Sequence, residues 1–158
     1  MTQQPAALLT RANRLLFPEL SGVAMFITAQ LVLVDARART LTIANAGHCP
    51  LLVAGDGAVK SYSPEGMPLG VLADSLFEDE KVELPENGCV LLYSDGVTDA
   101  QNPRGEKFGN QALADWLAQS SATRREAGRL RDDLVAELEK YQSGAALADD
   151  QTFMLLRG

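Results

Sequence analysis

The segment from Val90 to Asn102, VLLYSDGVTDAQN, carries an apolar run straight into a carboxylate. A short apolar run that stops at Asp-Gly reads as a buried strand entering a turn. The same feature recurs near the C-terminus, where ADDQTFMLLRG places Asp149 and Asp150 directly before another apolar run. A strand that is buried along its length and acid-tipped at its end calls for a partner to its charge. Two such strands constrain the fold, because strand ends that meet at one sheet edge stack like charges unless a cation relieves them. Oxygen-only ligands of this kind select hard ions, Mg²⁺ or Mn²⁺, over zinc.

Composition narrows the alternatives. The chain has 158 residues, 46% of them hydrophobic, enough for one packed core. Lys and Arg total 14 against 21 Asp and Glu, a formal net charge of −7. An acidic chain without a long basic run is poorly suited to nucleic acid, whose affinity rests on neutralised phosphates. The same charge is repelled by an anionic membrane surface, and a phosphate substrate would need its positive field from bound metal. Cys49, Cys89 and the single His48 make no paired zinc spacing. With no apolar stretch of spanning length and no signal peptide, a reduced, cytoplasmic setting is the expectation.

Periodicity supplies the elements. PAALLTRANRLLFPEL sets Leu8, Ala12, Leu15 and Leu16 on one helical face, with Pro5 in the first turn and Pro18 expected to end the helix. GVAMFITAQLVLVD alternates so that Val23, Met25, Ile27, Ala29, Leu31 and Leu33 share one face of a long strand. A turn at DARART leads into LTIANAG, and LLVAGDGAVKSY reads as a hairpin around Asp56-Gly57. KVELPENGCVLLYS reads as a further strand pair around Glu86-Asn87-Gly88. NQALADWLAQS spaces Leu113, Trp116 and Leu117 as a helix. TRREAGRLRDDLVAELEKY suggests a capping box from Thr123 to Glu126, with Ala127, Leu130, Leu134, Leu138 and Tyr141 on one face. QTFMLLR closes the chain as a strand. Early strands, two late helices and a final strand predict an α+β fold with mainly antiparallel sheets, residues 1–158 forming one domain.

Each acid also has an ordinary reading. Asp95 before Gly96 is a turn signal, Asp99 suits the cap of a short helical turn, and Asp149 with Asp150 suits a solvated strand entry. His48 in the Gly-containing turn of IANAGHCPLLV suits a structural role as well as a functional one.

The segments ANAGHCPLLV, GMPLGVL, LLYSDGVTDAQNPRGEKFG and DDQTFMLL occur together in the order and spacing of the PPM metal-dependent serine/threonine phosphatases. The chain most resembles the bacterial SpoIIE-type branch of that family, from about Pro5 to Arg157. The resemblance implies an antiparallel β-sandwich flanked by helices, with two Mg²⁺ or Mn²⁺ ions held at one end by strand-end aspartates. Matched position by position, Asp95 and Asp149 are the metal-holding, catalytic acids, and Asp99 an acid that helps hold a further, weaker ion. Gly96, Asp150 and His48 lie near that site, with no firm role assigned to His48.

The Gly-Gly-Asp and Gly-Asp-x-x-Gly-x-Gly segments that open such a domain have no counterpart here; Gly55-Asp56 falls in a hairpin turn. The chain is therefore expected to be a partial domain lacking the N-terminal portion, with Met1 left open between an internal start and a truncation. The resemblance implies a metal-dependent hydrolase of phosphoserine and phosphothreonine on a signalling protein, a small anti-sigma-factor antagonist in the first instance. It also implies an upstream sensory or receiver module, while the acidic charge argues against nucleic acid as a partner. The alternative is a non-catalytic phosphatase-fold module that binds a phosphoprotein or a partner domain.

Overall fold

The computed structural model describes residues 4–55, 57–123 and 125–158, so the Asp56 half of the Asp56-Gly57 turn lies outside the described residues. In chain order the elements are α1 (Pro5–Gly22), β1 (Ala29–Asp35), β2 (Thr40–Ala46), β3 (Leu51–Gly55) and β4 (Ala58–Tyr62). They continue as β5 (Glu80–Glu83), β6 (Cys89–Tyr93), α2 (Asp95–Thr98), α3 (Gly109–Ser121), α4 (Ala127–Gln142) and β7 (Phe153–Arg157). The fold is α+β, and both sheets are antiparallel, in the orders β1-β2-β5 and β4-β3-β6-β7. Two compact units divide these elements, one of residues 1–48 and 63–84, the other of residues 49–62 and 85–158.

In the first unit α1 packs on β1 and β2, with Ala6, Leu9, Ala44, Ala46, Leu69 and Phe77 as its core. Pro5 sits in the first turn as expected, but Pro18 does not end the helix. Its missing N–H costs little because Pro18 is exposed and only one turn follows it, to Gly22. The buried face is shifted from the expected one: Ala12 and Leu16 pack against the core as expected, Leu9 and Asn13 are buried beside them, and Leu8 and Leu15 are exposed, Leu15 by 69%. The doublets Leu8-Leu9 and Leu15-Leu16 fit two faces equally well. Asn13 decides between them, since its fully buried amide donates to the carbonyls of Leu72 (2.8 Å) and Ala73 (3.1 Å) and accepts from the Gly70 N–H (2.9 Å).

The long first strand expected from Val23 onward starts only at Ala29. Ala24 adopts φ +52°, the Met25 N–H bonds back to Leu20, and Val23, Met25 and Ile27 are exposed. Alternation continued through a turn that periodicity does not register. From Asp35 the chain reverses through an Asx turn, its carboxylate accepting the Arg37 and Ala38 N–H groups.

In the second unit, β3 and β4 form the expected hairpin, with Gly57 at φ +77°. The strand pair expected around Glu86-Asn87-Gly88 does not form. β5 pairs with β2 in one sheet, and β6 pairs with β3 and β7 in the other. The turn closed by Gly88 N–H on Pro85 O therefore connects two sheets, where the turn residues alone had suggested a hairpin. α3 and α4 carry the expected apolar stripes. Leu113, Leu117, Leu130, Leu134 and Leu138 pack with Leu52, Ala54, Cys89, Leu91 and Tyr93 in one cluster, so both helices cover the same face of this sheet. The capping box is absent. The Thr123 hydroxyl bonds back to Ser120 O (2.7 Å), and Glu126 is the N-cap residue of α4 with no side-chain cap. A hydroxyl already engaged by the preceding helix cannot cap the next one.

Candidate active site

β6 is buried along most of its length and pairs antiparallel with β7, Tyr93 opposite Phe153 and Cys89 opposite Arg157. This register brings the end of β6 and the start of β7 to the same edge of the sheet. Asp95 follows one, and Asp149 and Asp150 precede the other. The charged tips anticipated from sequence thus share an edge, which parallel pairing would have forbidden.

Ser94 and Gly96 hold this edge together. Ser94 is the N-cap residue of α2 but makes no side-chain cap. Its hydroxyl donates to Asp150 O (3.1 Å) and accepts the Thr152 N–H (3.1 Å), while its own N–H reaches Thr152 O (2.9 Å). Gly96 packs its bare Cα against the opposing backbone. A Cβ there would overlap the Asp150 carbonyl oxygen and lie 2.8 Å from its carbon and 3.4 Å from the Asp149 carbonyl carbon. Only glycine permits that approach, whatever its φ.

The carboxylates themselves are differently engaged. Asp95 is exposed, and among the described residues its carboxylate takes no hydrogen bond or ion pair. Asp149 is also exposed, with one oxygen on the Asp150 N–H (2.7 Å). Asp99 sits one turn beyond Asp95, its N–H on Asp95 O (2.7 Å), and its carboxylate pairs with Lys107 at 2.7 Å. Among the described residues no three or more His, Cys, Asp or Glu side chains converge in the manner of a ready-made metal cage. The donor chemistry of Asp95 and Asp149 nevertheless fits a hard divalent ion, which accepts few protein oxygens when water completes its shell.

His48 belongs to the other compact unit. Its Nδ1 lies 3.1 Å from Thr28 Oγ1, its N–H donates to Asn45 Oδ1 (2.7 Å), and its carbonyl accepts from Asn45 Nδ2 (3.0 Å). Asn45 is buried, and its amide also reaches Ser63 Oγ at 3.1 Å. Gly47, at φ +69°, leaves no room for a Cβ beside Pro68, and a Cβ at Gly66 would overlap Asn45 O. The AGH and GMPLG segments are therefore two halves of one close-packed structure.

The thiol of Cys49 is raised by burial, then by the charge of Asp95 and, more weakly, of Asp99, against a smaller lowering by a backbone hydrogen bond. A thiol raised in this way holds its proton more firmly and is a weaker nucleophile than a free one. Tyr93 is pushed up to about 12, mainly by burial and further by Cys49. Residues that sequence reasoning passed over are Ser94, Asn45, Lys107 and Tyr141. Ser94 lay in plain view inside SDG, whereas nothing local marks Lys107 as the partner of Asp99.

The family described as Stage II sporulation protein E (SpoIIE) matches residues 1–158. The chain belongs to the SpoIIE family. This SpoIIE-family chain is 28% identical to Protein IcfG of Synechocystis sp. over 143 residues, covering 90% of the chain and 22% of IcfG. It is 26% identical to Phosphoserine phosphatase RsbP of Bacillus subtilis over 132 residues, covering 83% of the chain and 30% of RsbP. Among solved structures, the SiaA-PP2C domain of Pseudomonas aeruginosa superposes with a TM-score of 0.84 at 28% identity, over 99% of the chain and 62% of that domain's chain. The SpoIIE-family chain thus spans less than a third of either full-length relative and shares the PP2C-type phosphatase fold. No helix among the described residues is long and apolar enough to cross a membrane.

Proposed function

We propose that this chain carries the Asp95/Asp149 half of a metal-dependent protein phosphatase site and acts on phosphoserine or phosphothreonine of a cytoplasmic signalling protein. A small anti-sigma-factor antagonist is the substrate class we infer, with a sensory or receiver module elsewhere in the same protein. The observation that carries the reading is the backbone contact of Gly96 on the Asp149–Asp150 peptide, which sets two strand-end acids at one edge. Asp95 and Asp149 are the residues that would hold Mg²⁺ or Mn²⁺. When bound, such ions supply a water of lowered pKa and neutralise charge on the phosphoryl oxygens. The chain's own residues position: Ser94 keeps the two strand ends in register, and Gly96 keeps them close. The similarity to RsbP, a phosphoserine phosphatase, supports the substrate class.

A second reading, a phosphatase-fold module that binds a phosphoprotein without hydrolysing it, is favoured by the lack of a three-ligand cluster among the described residues. One assay separates the two. The 158-residue chain alone is expected to hydrolyse p-nitrophenyl phosphate in Mn²⁺ barely above background, and the chain preceded by a Gly-Asp-x-x-Gly-x-Gly segment is expected to turn over. Robust Mn²⁺-dependent turnover by the chain alone would show that Asp95 and Asp149 need no further acids. Phosphopeptide binding by both forms with hydrolysis by neither would establish the second reading.

A further inference from the structure

The loop after α2 is built to a tolerance that a surface connection does not ordinarily need. Asn102 accepts the Arg104 and Glu106 N–H groups on Oδ1 (2.9 and 3.1 Å), and Gln101 bridges Lys107. The Phe108 N–H returns to Ala100 O at 2.8 Å. From α4 the Tyr141 hydroxyl is shared between the carbonyls of Glu106 (3.1 Å) and Lys107 (3.0 Å), and its ring meets Phe108 edge-on at 5.2 Å. Arg104 is engaged by Glu106 at 2.8 Å, so Lys107 is the loop cation delivered to the acid edge, where it meets Asp99.

An exposed Lys–Asp pair contributes little by itself, because its side chains lose entropy and water screens it. Here the backbone of Lys107 is already fixed on both sides, so only the two side chains remain to be ordered when the pair forms. Lys107 takes Oδ2 of Asp99, and an ammonium there adds like-charge repulsion against a divalent ion on the same carboxylate.

We propose that Lys107 is a built-in cation that occupies Asp99 and removes it from the metal-holding set, limiting this edge to the ion position of Asp95 and Asp149. Lys107 is thereby a specificity-determining residue for metal number. The proposal rests on the phosphatase reading for the Asp95/Asp149 ion alone.

The test is calorimetric titration of Mn²⁺ into the full 158-residue chain and its variants, with circular dichroism confirming that each is folded. Asp99→Asn is expected to leave Mn²⁺ binding at its wild-type affinity. Lys107→Met is expected to gain one further weak Mn²⁺ equivalent, Lys107→Arg to gain none, and Lys107→Met with Asp99→Asn to lose the gain. Weakening by about tenfold or more in Asp99→Asn, the scale of a disturbed metal shell, would overturn the proposal. So would a Lys107→Met chain that binds no more Mn²⁺ than wild type. Asp95→Asn reads the phosphatase site separately: unchanged Mn²⁺ binding there removes that reading, while the gain in Lys107→Met is scored against whatever wild type shows.

Discussion

The turns at Asn45–His48 and Ser94–Asp99 both carry a glycine and both read as motifs, yet they use their polar side chains in opposite ways. In the first, the Asn45 amide is committed to the His48 backbone and to Ser63, and the His48 ring to Thr28. In the second, a hydroxyl does the stitching through Ser94, and the Asp95 carboxylate is left over among the described residues. A polar group consumed by its own turn is architecture, and one left exposed after the turn is complete is available to a ligand. The Asn45 amide falls on the first side of that line and the Asp95 carboxylate on the second.

The comparison is most sharply tested by exchanging one residue from each turn. In the chain preceded by the Gly-Asp-x-x-Gly-x-Gly segment, Asp95→Asn should lower kcat/KM for p-nitrophenyl phosphate by roughly 100- to 1,000-fold, as loss of a group that fixes transition-state charge does. Its urea midpoint should not fall. His48→Ala should do the reverse, costing about 1 kcal/mol of stability for a lost hydrogen bond and leaving activity within roughly threefold. Comparable activity losses in both variants would erase the distinction.

Next in size are two changes that break the turns themselves. Gly96→Ala drives a Cβ into the Asp150 carbonyl and should destabilise by about 3 kcal/mol, the upper end for overpacking. Asn45→Ala strands the His48 N–H and carbonyl and should destabilise by about 2 kcal/mol. The two differ in Mn²⁺ titration. Gly96→Ala should weaken binding beyond its effect on folding, and Asn45→Ala should not.

The smallest expected effect separates the dry body of β6 from its wet tip. Tyr93, raised in the folded state from its ordinary value near 10 to about 12, keeps its proton after the unfolded chain has lost it. Its contribution is therefore fully present below pH 10 and lost as pH rises through 12. Tyr93→Phe should flatten that alkaline limb of a denaturation series. An unchanged limb would mean that burial of the phenol at the end of β6 is not what stabilises it.

The acid edge was legible in the sequence because both halves are local: an apolar run, then a turn residue carrying charge. Helices α3 and α4 were legible for the same reason, since Leu113, Leu117, Leu130, Leu134 and Leu138 repeat at the helical period and are all buried. The face of the first helix was read only in part because its leucine doublets satisfy two faces, and a buried Asn13 with distant carbonyl partners chose between them. The Glu86-Asn87-Gly88 turn looked like a hairpin because turn chemistry describes the reversal and says nothing about where the next strand pairs.

Residue order alone thus determined α3 and α4 with their apolar faces, the β3–β4 hairpin, and the placement of Asp95 and Asp149 at strand tips. Tertiary structure alone decided that β5 joins β2, that β6 lies between β3 and β7, and that Asp99 is taken by Lys107. Periodicity and turns are set by neighbours within a few residues. The clamp between Ser94 and the Asp150–Thr152 backbone joins positions 56 and 58 apart in sequence, and such contacts form only once the whole sheet is assembled.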